Sequence, residues 1–259
     1  MKIVVLVKEV PDTYGDRKLS LETGLAERGA SDAVLDEISE RSVEVALKHA
    51  DLNPGTEVVV LSMGPAGAAA SLRKGLAMGA GSAVHIVDDE LAGADLGTTA
   101  SVLSAALQRT GFDVVIAGNQ STDGAGGVIP AMVAEHLGLP HLTALTSVEI
   151  TDVEVSGTRA SEAGTAQLSA TLPVVISITE ALPDPRFPNI KGIRGANKKP
   201  FETLSLQDLG VDAAQGTTTP RSIMTAISEK PARGPGEKIF DEGDAGTKIA
   251  EFLFQNRLA

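Results

Sequence analysis

Gly118-Asn119-Gln120-Ser121-Thr122-Asp123-Gly124-Ala125-Gly126-Gly127-Val128-Ile129-Pro130 joins glycines, hydroxyls, side-chain amides and one carboxylate in an order suited to binding an anion. The segment follows the apolar run Val114–Ile116 and opens a helix. A proline is tolerated only in a helix's first turn, where N–H groups have no intrahelical partner, so Pro130 makes the helix begin between Gly126 and Ile129. Gly118, Gly124, Gly126 and Gly127 let a ligand approach main-chain N–H groups at the positive end of the helix dipole, which is an anion or phosphate site. Gln120, Ser121 and Thr122 add side-chain donors, and Asp123 is a candidate N-cap or ribose contact. No Lys or Arg stands in the loop. The alternative is a turn that needs glycine only for its dihedrals.

A second stretch carries different chemistry. Between Pro185 and Phe201 lie Arg186, Lys191, Arg194, Lys198 and Lys199 and no acidic residue, in a chain whose 22 Lys+Arg against 34 Asp+Glu leave a net charge of −12. Such a local reversal marks a contact surface. Phe187, Ile190 and Ile193 are spaced three apart, which suits a helical turn presenting an apolar knob between cations. The alternative is a solvated loop whose isoleucines fold back onto the core.

Other chemistries lack their parts. No G-x-G-x-x-G follows the first apolar run, where Lys8–Thr13 stand, and neither a Gly-Lys dipeptide nor a G-x-S-x-G elbow occurs. His49, His85, His136 and His141 form no H-E-x-x-H pair and read as surface or hydrogen-bonded residues, so no metal site is expected. With no cysteine there is no disulfide, zinc-thiolate, iron–sulfur ligand or thiol nucleophile. The acidic balance argues against a nucleic-acid partner and against anionic lipid, and the absence of Trp removes stacking platforms. The apolar run at Met1–Lys8 is too short for a signal peptide, and no run of about 18 apolar residues marks a membrane span. A cytoplasmic location without membrane insertion is the expectation.

The elements that must position these residues alternate. Ile3–Val7, Val58–Leu61, Ala83–Val87 and Val114–Ile116 are near-continuously apolar, as strands covered on both faces must be. Between and after them lie amphipathic stretches, Ile38–Ala50, Ala66–Met78, Leu96–Arg109 and Val128–Leu137. This β-α-β-α order predicts an α/β, doubly wound, mainly parallel sheet. Val7–Thr13 and Ser62–Ala66 should then lie at the same carboxyl edge as the glycine loop, with backbone groups able to read an adenine edge. Asp36 and Ser39 are candidate caps of the first helix.

Leu145–Val155, Thr165–Thr171 and Val174–Thr179 read as β segments with turns around Gly157 and Gly164, either extending the sheet or forming an antiparallel edge. Leu182–Pro200, with four prolines, reads as loop or isolated turns. A polar stretch, Asp212–Lys238, leads to a last helix near Asp244–Arg257. The division expected is 1–209, an α/β nucleotide-binding domain carrying the segment 184–200, and 210–259, a C-terminal arm that packs on a partner.

Taken in order, these pieces resemble the β subunit of electron-transferring flavoproteins, in its actinobacterial, non-bifurcating type. The resemblance rests on Val7-Lys8-Glu9-Val10-Pro11-Asp12-Thr13, Leu76-Ala77-Met78-Gly79-Ala80 and Ala117–Gly127. Its most specific part is Leu172-Pro173-Val174-Val175-Ile176, through Pro185-Arg186-Phe187, to Ala196-Asn197-Lys198-Lys199. It implies an adenine-nucleotide α-hydrolase-like fold paired with an α subunit that holds most of the FAD, with a structural AMP in the β chain. The implied AMP site is Leu6, Asp36 to Ser39, Met63 and Gln120 to Gly127. Pro188–Lys199 becomes the loop that docks acyl-CoA dehydrogenase-type donors of fatty acid β-oxidation, with Ile190 as apolar anchor and Arg186 facing the flavin or an acidic partner. A quinone reductase is the acceptor.

The chain departs from the family where Asp36-Glu37-Ile38-Ser39 replaces an Asn-Pro pattern. It does so again where Asp184-Pro185-Arg186-Phe187 stands for Glu-Pro-Arg-Tyr and Arg194-Gly195 for Met-Lys. The chain is expected to be an electron-carrier subunit with no catalytic residue of its own. Two alternatives are a bifurcating relative, holding a second FAD in place of AMP, and a stand-alone ATP-binding stress or sensor protein.

Overall fold

The computed structural model describes residues 1–15, 17–211, 222–236 and 238–258. Of the polar stretch expected over Asp212–Lys238, residues 212–221 and 237 lie outside the described residues. The chain divides into two units, Met1–Thr225 and Ala226–Ala259.

In the first unit the β-branched runs form strands β1 (Lys2–Leu6), β4 (Glu57–Met63), β5 (Ser82–Ile86) and β6 (Val114–Gly118). Two three-residue strands, β2 (Glu9–Pro11) and β3 (Ala33–Leu35), pair antiparallel beside them. The helices are α1 (Glu37–Leu52), α2 (Ala69–Met78), α3 (Leu96–Thr110) and α4 (Ile129–Leu137). Beyond them come β7 (His141–Ile150), β8 (Glu154–Ser161), β9 (Gly164–Thr171), β10 (Val174–Ile178), helix α5 (Ile190–Ala196) and β11 (Phe201–Leu204). They build one nine-stranded sheet in the order β11-β5-β4-β1-β6-β10-β7-β8-β9. All pairs are parallel except β7–β8 and β8–β9.

The sheet is covered on both faces, which explains the unbroken apolar runs. Ile3, Val5 and Val60 pack under Val43, Leu47, Leu72 and Leu76 of α1 and α2. Val4, Leu6 and Leu61 pack on the other face against Val102, Leu103 and Leu107 of α3 and Val133 of α4. The expected doubly wound α/β fold is present. No helix among the described residues is long and apolar enough to cross a membrane.

Several local expectations need correction. Leu145–Val155 is not one β segment: β7 ends at Ile150, and Thr151 turns the chain, its Oγ1 accepting from Glu154 N–H at 3.1 Å and donating to Glu154 O at 2.9 Å. Gly157 makes no turn but sits inside β8, where a Cβ would lie 2.2 Å from the Ser147 carbonyl oxygen. The segment Val174–Thr179 does not extend an edge, since β10 inserts between β6 and β7. Leu182–Pro200 contains the helix α5, and β11 and the β2–β3 pair were not expected. His49 and His85 are not hydrogen-bonded throughout. Their Nε2 atoms are buried with no partner, and burial lowers both pKa values, which disfavours the charged form of each ring.

The second unit contains helix α6 (Ala245–Gln255), on which Ile249, Phe252 and Phe254 are exposed.

Candidate functional site

From β1 the chain moves through β4 and β5 to one side of the sheet, then returns to place β6 on the other side of β1. The carboxyl ends of β1 and β6 therefore flank the point where strand order reverses, the usual ligand crevice of an open α/β sheet. Residues 118–128 leave β6 there and enter α4, with Pro130 in its first turn. At Gly118 a Cβ would lie 2.5 Å from Ile38 Cγ2, so this glycine lets the start of α1 close onto the strand end. Asn119 N–H donates to Ile178 O at 2.8 Å, tying the loop's first residue to β10. Ser121 O then accepts from Ala125 N–H at 2.9 Å, and Ala125 and Gly127 both adopt positive φ, 47° and 67°. Gly124 to Val128 are exposed, and the first-turn N–H groups of α4 that follow have no intrahelical acceptor.

Three other segments hold this loop. Asp36, only 1% exposed, caps α1 by accepting from Ile38 N–H at 3.4 Å through Oδ1. Its Oδ2 accepts from Thr122 N–H at 2.9 Å and Thr122 Oγ1 at 3.4 Å. Burial pushes this carboxyl above the usual carboxylate range, against the pull of the Thr122 and Ile38 N–H groups. Ser39 Oγ accepts from Lys8 N–H at 3.2 Å. Lys8, just past β1, sends Nζ to Asp123 Oδ1 at 2.7 Å and to Ser121 Oγ at 3.3 Å. Arg28 Nη2 lies 3.5 Å from Asp123 Oδ2, and Arg17 donates to Thr122 O. Burial works to raise the Asp123 pKa, but the Lys8 and Ser121 hydrogen bonds outweigh it and hold the carboxyl below its usual value.

Asp36, Ser39, Gly118 and the loop from Gln120 to Gly127 are thus brought together. Leu6 pairs with Ala117 and Leu61 at the end of β1, and Met63 ends β4 at the same sheet edge. Gln120 is exposed. Lys8, Arg17 and Arg28 were not anticipated as site residues. The position of Lys8 follows from strand order, because the residue after β1 faces the loop after β6. Arg17 and Arg28 come from a polar excursion with no periodic signal.

The basic stretch is a short helix tied to α1 and α2. Asn189 caps α5 by accepting from Gly192 N–H at 2.8 Å. Gly192 lies so close to α2 that a Cβ would stand 2.3 Å from Ala77 O. Arg186 donates through Nε to Glu44 Oε2 at 2.7 Å and through Nη2 to Asp51 Oδ2 at 2.8 Å, and Glu44 holds its guanidinium firmly protonated. Lys199 Nζ donates to Leu76 O and Ala80 O, at 2.8 and 2.6 Å, at the end of α2. Phe187, Lys191, Ile193, Arg194 and Lys198 are exposed, as is Ile190, at 95% for Phe187 and 71% for Ile190.

Residues 23–209, which include both the loop and the basic helix, match the family described as electron transfer flavoprotein domain. A protein of Mycobacterium tuberculosis H37Rv named electron transfer flavoprotein subunit beta is 45% identical over 99% of this chain and 98% of the relative. The chain belongs to the electron transfer flavoprotein family, as a beta subunit. The subunit beta of Mycobacterium leprae is 44% identical over the same shares. An Acetobacterium woodii protein named caffeyl-CoA reductase-Etf complex subunit CarD is 33% identical over 97% of this chain and 94% of the relative. As an electron transfer flavoprotein beta subunit, the chain works in electron transport with a flavin and an alpha subunit.

Proposed function

We propose that this beta subunit binds AMP as a structural ligand, helps its alpha subunit enclose FAD, and docks acyl-CoA dehydrogenase-type donors whose electrons go on to a quinone reductase. The observation that carries the nucleotide part is the loop after β6, whose exposed glycines lead into the open N–H groups of α4 and which Asp36 clamps from the side. Gln120 to Gly127 would hold the phosphate and ribose, with Lys8, Arg17 and Arg28 the cations that touch the loop, while Leu6, Ser39 and Met63 border the adenine. This donor set fits a nucleoside monophosphate: backbone N–H groups, hydroxyls and the cations beside the loop against one phosphate. FAD supplies the redox chemistry when bound. The residues of this chain bind, shield and orient, and they make or break no covalent bond.

In the docking part, Phe187, Ile190 and Ile193 face an apolar pocket, while Lys191, Arg194 and Lys198 meet its acidic rim. Arg186 and Lys199 serve the same segment from within. The C-terminal arm, 210–259, with Ile249, Phe252 and Phe254 exposed on α6, packs on the alpha subunit. The complex is cytoplasmic.

The test is to purify the complex around this chain, denature it and count released nucleotides per beta subunit. One FAD and one AMP with a co-purifying alpha chain is the expected result. Two FAD and no AMP would replace the carrier reading by a bifurcating one. ATP on a lone chain would overturn it in favour of a sensor protein.

A further inference from the structure

The position of α5 is fixed by residues on the segments around it. Arg186 stands at the entry to the docking segment, and its polar groups are turned inward. Its backbone N–H and Nε donate to the same oxygen, Glu44 Oε2, at 3.0 and 2.7 Å. Nη2 reaches Glu44 Oε1 at 3.2 Å and Asp51 Oδ2 at 2.8 Å. Glu44 is 5% exposed and lies mid-way along α1, a helix fixed to the core through Val43, Ala46 and Leu47. A fork engaged at two points by a buried carboxylate that also accepts from the backbone N–H of the same residue has a fixed direction, which a single lysine-type contact lacks. Arg41 reinforces the approach by donating to Leu182 O and Asp184 Oδ1, both at 2.5 Å. Lys199 and the Gly192–Ala77 contact fix the far side. Between these ties the apolar side chains of Phe187, Ile190 and Ile193 point outward.

We infer that Glu44 and Arg186 are positioning residues for partner docking: the buried carboxylate aims the guanidinium, and through it α5, so that Ile190 is presented in its binding orientation before the partner arrives. This rests on the docking reading above and assigns Arg186 a role other than contact with flavin or partner. Preorganisation lowers the ordering cost of association, so its loss appears in affinity and not in the electron-transfer step.

The experiment is a double-mutant cycle on the whole alpha–beta complex, measuring dehydrogenase-dependent flavin reduction with FAD and AMP content as controls. Ile190→Ala and Glu44→Gln are each expected to raise KM for the carrier about fivefold with kcat unchanged, since both remove binding and not chemistry. The pair together is expected to do no more than Ile190→Ala alone, because Glu44 acts through Ile190. If Ile190→Ala raises KM while Glu44→Gln does not, or if the two effects multiply, positioning by Glu44 is overturned and docking stands. If Ile190→Ala leaves KM unchanged, the docking reading itself falls and takes the inference with it. Should Glu44→Gln fail to assemble, Asp51→Asn removes the exposed carboxylate from the same fork, with about a twofold rise in KM expected and an unchanged KM overturning the proposal.

Discussion

Asp36 divides one carboxylate between two tasks, capping α1 and holding Thr122. An asparagine has a single oxygen to accept with, so Asp36→Asn is expected to cost about 1 kcal/mol at neutral pH. The folded protein binds the Asp36 proton more tightly than the unfolded chain, because burial raises its pKa. That contribution to stability is present at low pH and lost as pH rises through the folded value. The stability gap between wild type and Asp36→Asn should therefore widen on going from pH 7 to pH 4, as measured by urea unfolding, and a narrowing gap would contradict the burial account. Asp123 acts in the opposite sense. Its lowered pKa gives stability that is present above about pH 4 and lost as pH falls through its folded value. Comparing two proteins that both keep Asp123 removes that part. The glycine loop and Asp36 were legible in the sequence because loop, proline and cap chemistry are local; Ser39, the other candidate cap, stands inside α1 and accepts from Lys8 N–H instead. Lys8 meets Asp123 across 115 positions, a meeting that strand order creates and spacing does not encode.

At the level of elements, α5 lies against α2 with no room for a side chain between them. Gly192→Ala would place a Cβ 2.3 Å from Ala77 O and is expected to cost about 1–3 kcal/mol, the range for overpacking. Gly195→Ala, in the same helix with nothing within 4 Å of the added Cβ, should be neutral or stabilise by about 0.5–1 kcal/mol, the helix propensity gain. Thermal unfolding of the two variants side by side checks this, and equal effects would mean that α5 does not rest on α2. The central strands were legible because burial on both faces leaves apolar runs that admit no other reading. Gly157 misled in the turn assignment because glycine there answers to the neighbouring backbone at Ser147, a tertiary fact, and not to a turn. β11 escaped notice because Phe201–Leu204 is four residues long with its two middle residues exposed, too brief for periodicity to register.

At the level of the whole molecule, a chain of net charge −12 carries a cationic stretch around α5, so its long-range field and the field at that stretch have opposite signs. On the docking reading proposed above, attraction to an acid-rimmed partner pocket comes from this local patch, against the repulsion of the net charge. The rate of dehydrogenase-dependent flavin reduction should fall about tenfold between about 0.02 and 0.2 M salt, as expected for steered association. Stopped-flow traces at graded ionic strength check this, and a rate that rises with salt would place the governing charge outside α5. The order of the sheet has a further consequence. β6, which bears the glycine loop, gains its second neighbour only after the chain has run through β7, β8 and β9 and returned as β10. Asn119 finds its acceptor, Ile178, at the same moment. During synthesis the loop-bearing strand waits with one edge open while about sixty residues emerge, roughly half a dozen seconds at ordinary translation speeds. A chain interrupted before residue 174 contains every residue of the loop yet lacks the strand that anchors it, so the loop's fixed geometry depends on residues made well after it.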